Sequence, residues 1–286
     1  MSSSSSTSTR PRSGDTPRAR QTTLAALPNA VVTREQFTAT PSAKRGVSRS
    51  LESQLRALGC EFIQAAGILL KLPQVTMATA QVLLQRFYYV ESLLDVSLLD
   101  AVAGALFTAA KVEETPRRIP DVVNVLHYLR QRRRGGDTAP LDGFTQDYYD
   151  LRDGLLATES RLLVALGFDV HVQLPYGLMV NYLQAMGLAG NHALAQRAWN
   201  YLNDALRTPV YVLYQPHVLA CAAVDLATRH CRVPMPTSPP WWEVFEAEAD
   251  EIRAVCGWLG RLYADPALPA NLPLTSAELA RHLATL

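Results

Sequence analysis

The sequence predicts an all-α protein, built as two tandem helical bundles behind an extended N-terminal arm. Three observations carry this. From Ser50 onwards apolar residues recur at steps of three and four, the period of a helix face. No segment shows the apolar/polar alternation of a half-buried strand. The plan of the chain also runs twice: an Ala-rich helix stands third in each half, Ser97 to Glu114 and Gln215 to Cys231, and a Glu-bearing helix rich in Leu, Val or Trp closes each.

Residues 1–23 are Ser, Thr, Pro and Arg without periodicity, which reads as a disordered arm. Residues 24–51, interrupted by Pro28 and Pro41, are expected to run extended over a domain surface. The first long helix carries Leu51, Leu55, Leu58, Phe62, Ala65 and Leu69 on one face and ends at Pro73. Thr76 is the expected N-cap of the second, and Ser97 of the third, with Asp100 at the third position of its first turn. Pro120 opens the fourth and Gly135-Gly136 ends it. The fifth places Leu155, Leu162, Leu163 and Leu166 on one face and stops at Gly167. In the second half, Trp241 and Trp242 follow a Pro-rich turn and are expected to staple that bundle. The tail at 265–286 holds a capping box, Thr275 to Glu278, that predicts a short docked helix.

The bulk properties narrow the function. A chain of 286 residues suits about two domains, each with its own core. Hydrophobic residues are 48% and charged residues 19%, and the net charge of +1 supplies no field for nucleic acid or anionic membrane. The longest apolar run, Val96 to Ala110, falls short of the roughly 18 to 20 residues that span a bilayer and carries Asp100. The N-terminus lacks the apolar centre of a secretory signal, so the soluble interior of the cell is the expected compartment. Cys60, Cys221, Cys231 and Cys256 show no CxxC or similar metal spacing and read as reduced thiols, those of Cys60 and Cys221 in the core. HExxH, P-loop, GxGxxG and GxSxG motifs do not occur. No enzyme active site, metal or cofactor is expected.

One stretch breaks the rules. "AAKVEETPRR", residues 109–118, ends an almost uncharged helix in a cation and two acids. Lys111 suits the negative end of a helix; Glu113 and Glu114 do not, and Arg117 and Arg118 stand where they would neutralise them at a solvated end. Glu159 lies four residues after Leu155 and four before Leu163, at the edge of the apolar stripe of the fifth helix, where an acid needs a partner. Together Lys111 and Glu159 suit a pair of hydrogen-bonding fingers framing a hydrophobic surface. "RQRRR" at 130–134, by contrast, reads as a solvated helix end.

"LGCEFIQAAGILLKLPQVTMATAQVLLQRFYY", "AAKVEETPRRIPDVVNVLHYLRQRR", "ESRLLVALGFDVHVQLP" and "WNYLNDALRTPVYVLYQP" closely resemble the L-type, transcription- and splicing-associated members of the cyclin family. "KVEETPRRI" is the most specific piece, and the similarity runs from about Leu24 to Tyr263. The resemblance implies two five-helix cyclin boxes, at 52–168 and 174–264, and a nuclear, non-catalytic subunit that activates a cyclin-dependent kinase of the PITSLRE group or another transcriptional kinase. It implies that Lys111 and Glu159 hydrogen-bond kinase backbone, with Val112 and Leu163 on the surrounding apolar surface and Phe107 as a further candidate. Splicing factors are implied as additional partners, although L-type cyclins commonly carry an Arg-Ser-rich tail and this chain ends at Leu286 without one. The rival reading is a nucleic-acid-binding general transcription factor module with the same two-box plan. It expects a basic face and usually a zinc ribbon near the N-terminus, yet the first 59 residues contain no Cys.

Overall fold

The computed structural model describes residues 29–136, 138–236, 238–264, 268–269 and 271–285. The expected arm at 1–23 and residues 24–28 lie outside them. Thirteen α-helices and one 3-10 turn make up the described chain, with no strand among the described residues.

The N-terminal segment is less extended than its prolines suggested. After Asn29–Val32 it forms α1 (Arg34–Thr38), closed by a capping box between Thr33 and Gln36, and α2 (Pro41–Lys44), capped by Thr40 with Pro41 in its first turn. Two good caps and a proline with preset φ suffice for one turn each. The segment straddles both bundles. The Asn29 side chain donates to Gln173 O at 2.9 Å and accepts from Gln173 N at 2.8 Å, Val32 N reaches Val212 O at 2.8 Å, and Phe37 lies between the rings of Tyr89 and Trp258.

The first bundle comprises α3 (Arg49–Leu69), α4 (Gln74–Phe87), α5 (Leu98–Val112), α6 (Ile119–Arg134) and α7 (Gln146–Ala165). Ser48 caps α3, and Ser97 caps α5, accepting from the Asp100 amide at 3.2 Å as expected. The expected cap at Thr76 is not one. Helix α4 starts two residues earlier behind Pro73, and Thr76 sits buried inside it, its hydroxyl 3.0 Å from that of Thr115. A helix interior tolerates a Thr whose hydroxyl finds a tertiary partner. Helix α5 is buried nearly all round through Ala101, Val102, Ala105, Leu106, Ala109 and Ala110, and α3, α4, α6 and α7 pack about it. Small side chains are what allow four helices to approach one axis.

The second half repeats the theme with α8 (Tyr176–Ala185), α9 (His192–Ala205), the single turn α10 (Val210–Leu213), α11 (Pro216–Cys231) and α12 (Ala249–Ala264). Ala-rich α11 is its centre, packed by α8, α9 and α12. Between α11 and α12 the described residues make one 3-10 turn, Trp241–Phe245, which ends at Glu246 in the left-handed conformation (φ 57°). Trp241 is buried there against Phe245 and Trp242, as a staple should be.

The tail returns to the first bundle. Its helix α13 (Ser276–Ala284) opens with the expected capping box at Thr275 and Glu278. Leu272, Leu274 and Leu279 are buried, and Ser276 Oγ donates to Leu93 O at 3.0 Å. The end of α6 meets this tail instead of bulk solvent: Arg133 donates to Pro269 O at 2.7 Å and Arg134 pairs with Glu278. The "RQRRR" run is therefore only partly a solvated helix end.

Candidate functional site

The site is built where α5 ends beside α7. Helix α5 closes without glycine in the geometry of a Schellman turn. Glu114 takes the left-handed conformation at φ 53°, its amide bonds to Lys111 O at 3.2 Å, and the Thr115 amide reaches Ala110 O at 2.8 Å. A non-glycine residue there costs about 1–2 kcal/mol and must be held. Three contacts hold it. Glu113 accepts from Thr79 Oγ1 at 2.7 Å, Thr115 meets Thr76, and Arg117 donates to Leu70 O and Lys71 O, both at 2.9 Å. Arg117 thus caps the C-terminus of α3, and Arg118 pairs with Asp121 at 3.0 Å. The expectation that these arginines neutralise Glu113 and Glu114 is corrected: the orphan carbonyls at the end of α3 and the first-turn acid of α6 take them.

Helix α7 lies unusually close to α5 at the level of Glu159. A Cβ on Gly104 would sit 3.1 Å from the Glu159 amide nitrogen and 3.2 Å from the Thr158 carbonyl carbon. That approach brings the two predicted fingers together. Lys111 Nζ lies 2.8 Å from Glu159 Oε1 and 3.0 Å from Oε2. The pair stands at the surface, with the Lys111 side chain 51% exposed and that of Glu159 12%. Lys111 Nζ also sits 4.2 Å above the centre of the Phe107 ring. Phe107 itself is only 6% exposed, so it supports Lys111 from below and offers little surface, contrary to its expected place on the apolar face.

Around the pair, Val112 is exposed and Leu163 half-buried. Leu156 and Val164 on α7 and Phe168 just past its end are further exposed apolar side chains; Val164 and Phe168 are each 69% exposed. Sequence reasoning passed over these three. Their signal was the doublets Leu155-Leu156 and Leu162-Leu163, which make an apolar arc wider than one buried face requires, the first leucine of each being fully buried and the second not. The arrangement can bury apolar side chains of another molecule while two opposite charges present hydrogen-bonding groups to its main chain. Among the described residues no cluster of three or more His, Cys, Asp or Glu is disposed to hold a metal, and no helix is long and apolar enough to cross a membrane.

The family model described as "Cyclin, N-terminal domain" matches residues 29–171. The chain belongs to the cyclin family. Within it, the sequence sides with the L-type: it is 44% identical over 241 residues to human Cyclin-L2, covering 84% of this chain and 46% of that protein. It is likewise 44% identical over 237 residues to Cyclin-L1 of Rattus norvegicus, covering 83% of this chain and 45% of the relative. This cyclin therefore spans about half the length of the curated relatives it matches. Among solved structures it resembles a chain of the yeast RNA Pol II CTD kinase CTDK-1 complex, with a TM-score of 0.68 at 17% identity, covering 91% of this chain and 84% of that one. It also resembles a chain of the Chaetomium thermophilum CAK complex bound to ATP-gamma-S, with a TM-score of 0.57 at 20% identity over 75% of this chain and 65% of that one. Those likenesses establish the cyclin-box fold. Lys111 and Glu159 both fall inside the stretch that the family model matches.

Proposed function

We propose that this cyclin is a non-catalytic regulatory subunit that binds and activates a cyclin-dependent kinase through the surface around Lys111 and Glu159. The observation that carries the reading is the pair itself: two opposite charges in contact at the surface, with the apolar Val112 next to Lys111 and Leu163 one turn after Glu159. Such an apolar patch with a polar centre is what a protein partner covers. In the free cyclin the two charges satisfy one another; in a complex they exchange that contact for main-chain groups of the kinase. A cyclin that binds the active arrangement of the kinase better shifts its population toward that state. The likeness to chains of kinase complexes supports a kinase as partner; the choice of one of the PITSLRE group or another transcriptional kinase, in the nucleus, with a role in transcription and pre-mRNA processing, rests on the L-type resemblance of the sequence. The family assignment favours this over the nucleic-acid-binding reading of the same two-box plan. We place the boxes at 52–168 and 174–264, the first carrying the kinase surface.

Lys111→Ala with Glu159→Ala tests the proposal by pull-down and kinase assay against transcriptional cyclin-dependent kinases. Truncating charged groups at the centre of a buried interface costs about 2–5 kcal/mol, so retention should fall by more than tenfold with the fold intact. Undiminished retention and activation by the folded double variant would refute the assignment.

A further inference from the structure

A cavity of about 340 Å³ opens between the first turns of α3, the N-terminal segment and α12, away from Lys111 and Glu159, neither of which lines it. Four arginines do: Arg49 and Arg56 from α3, Arg207 from the turn after α9, and Arg261 from α12. One carboxylate faces them, Glu52, and both its oxygens are engaged. Arg56 donates to one, and Thr40 Oγ1 donates to the other at 2.6 Å. Arg207 is held by Glu61 at 2.6 Å. Arg49 and Arg261 are exposed; their hydrogen bonds among the described residues go to the carbonyls of Thr38 and Gly257, and no ion pair holds either of them among those residues.

Two of the four guanidinium groups lie over aromatic rings. Arg56 lies 3.9 Å from the centre of the Tyr89 ring and Arg261 lies 4.4 Å from that of Trp258. Stacking orients a guanidinium so that its N–H edge is presented sideways to an acceptor. The floor is short of acceptors as well: Nε and Nη1 of Arg56 are buried without a hydrogen-bond partner. Buried donors left so are uncommon and costly, and an anion settling on the floor would supply what they lack.

We propose that this cavity binds a phosphorylated serine or threonine side chain of a partner polypeptide, with Arg49, Arg207 and Arg261 around the phosphate and Arg56 beneath it. A phosphate monoester carries about −1.5 to −2 charge and three acceptor oxygens, enough to meet several guanidinium groups at once, whereas a carboxylate meets one fork. The aromatic walls and Pro209 would take the apolar neighbours of the phosphorylated residue. A nucleic acid is disfavoured, because the net charge of +1 supplies no general field for a polyanion.

The test uses the full chain, without kinase, in fluorescence anisotropy with three degenerate peptide pools that share a central phosphothreonine, threonine or glutamate. The phosphothreonine pool should bind about tenfold or more tightly than the other two, the scale of a charge-assisted bidentate contact. Arg49→Gln with Arg261→Gln should abolish that preference without changing the melting curve, both side chains being exposed; Arg261→Gln alone should weaken it and serves if the double variant folds poorly. Equal binding of the three pools, or an unchanged preference in either folded variant, would overturn the proposal. So would full displacement by inorganic phosphate at the peptide's own concentration, which would mark a site for the free anion.

Discussion

Gly104 on α5 faces the Glu159 amide on α7 so closely that a Cβ would lie 3.1 Å from that nitrogen. The obstacle is backbone, which cannot swing aside as a side-chain tip does. Gly104→Ala gains helix propensity of up to about 1 kcal/mol and loses about 1–3 kcal/mol to overpacking, so the second effect wins. It should lower the denaturation midpoint, and by forcing α7 outward lengthen the contact between Lys111 and Glu159 and weaken kinase retention. Gly257→Ala is the control: it sits in α12 with nothing within 4 Å of the added Cβ and should stabilise by about 0.5–1 kcal/mol. Equal melting curves for the two variants would dismiss the role given to close helix approach.

Arg117 makes a second, separable prediction. Its guanidinium satisfies the Leu70 and Lys71 carbonyls, which close α3, and binds the Thr115 and Pro116 carbonyls as well. Arg117→Ala should cost about 1–3 kcal/mol by chemical denaturation, since carbonyls in a part-buried turn lose a charged donor. Arg118→Ala, whose partner is the exposed Asp121, should change little. A larger loss at Arg118 than at Arg117 would reverse the roles assigned here.

These two positions also mark where the sequence was readable. The bundle helices, the caps at Ser97 and Thr275, and the Ala-rich centres follow from periodicity and local chemistry, and they were legible. Lys111 and Glu159 were legible because charge breaks in on apolar helices there: Lys111 ends an almost uncharged helix beside two misplaced acids, and Glu159 edges an apolar stripe. What their neighbours do was not legible: Arg117 looks like a counterion for Glu113, yet the end of α3 lies nearer, a fact of tertiary packing 46 and 47 residues away. Thr76 likewise has the chemistry of a cap but finds its partner on another element. Phe107 was misplaced for the same reason, since an aromatic on an apolar helix does not announce which neighbour covers it.

The thiols give a pH signature. Burial pushes Cys60, Cys221 and Cys256 each up to about 12 from an ordinary value of 9.0. The folded state therefore keeps three protons that the unfolded chain releases earlier. Their contribution to stability is complete below pH 9 and is lost as the pH rises from 9 toward 12. Melting temperature should fall across that window, and Cys60→Ala with Cys221→Ala should flatten the fall. At pH 8 a thiol reagent should spare Cys60 and Cys221 until the chain unfolds. Rapid labelling of either at that pH, in folded protein, would contradict the burial seen here.

The tail supplies the last prediction. Helix α13 has nine residues, too few to persist alone in water, so its order comes from docking on the first bundle. Leu279 is its one buried residue, and Leu274 before it accepts from the Leu99 amide at 3.4 Å. Leu279→Ala removes about 2–5 kcal/mol of packing where a site cannot relax, more than so short a helix can lose while staying attached. The tail should let go, and the remaining fold should not follow. Hydrogen exchange is expected to show α13 amides at the rates of an unfolded chain and faster exchange at Leu99, while Ala105 and Leu106 in the centre of α5 stay protected. Protection of α13 that survives the substitution would mean that Arg134 and Ser276, not the apolar contact, hold the tail in place.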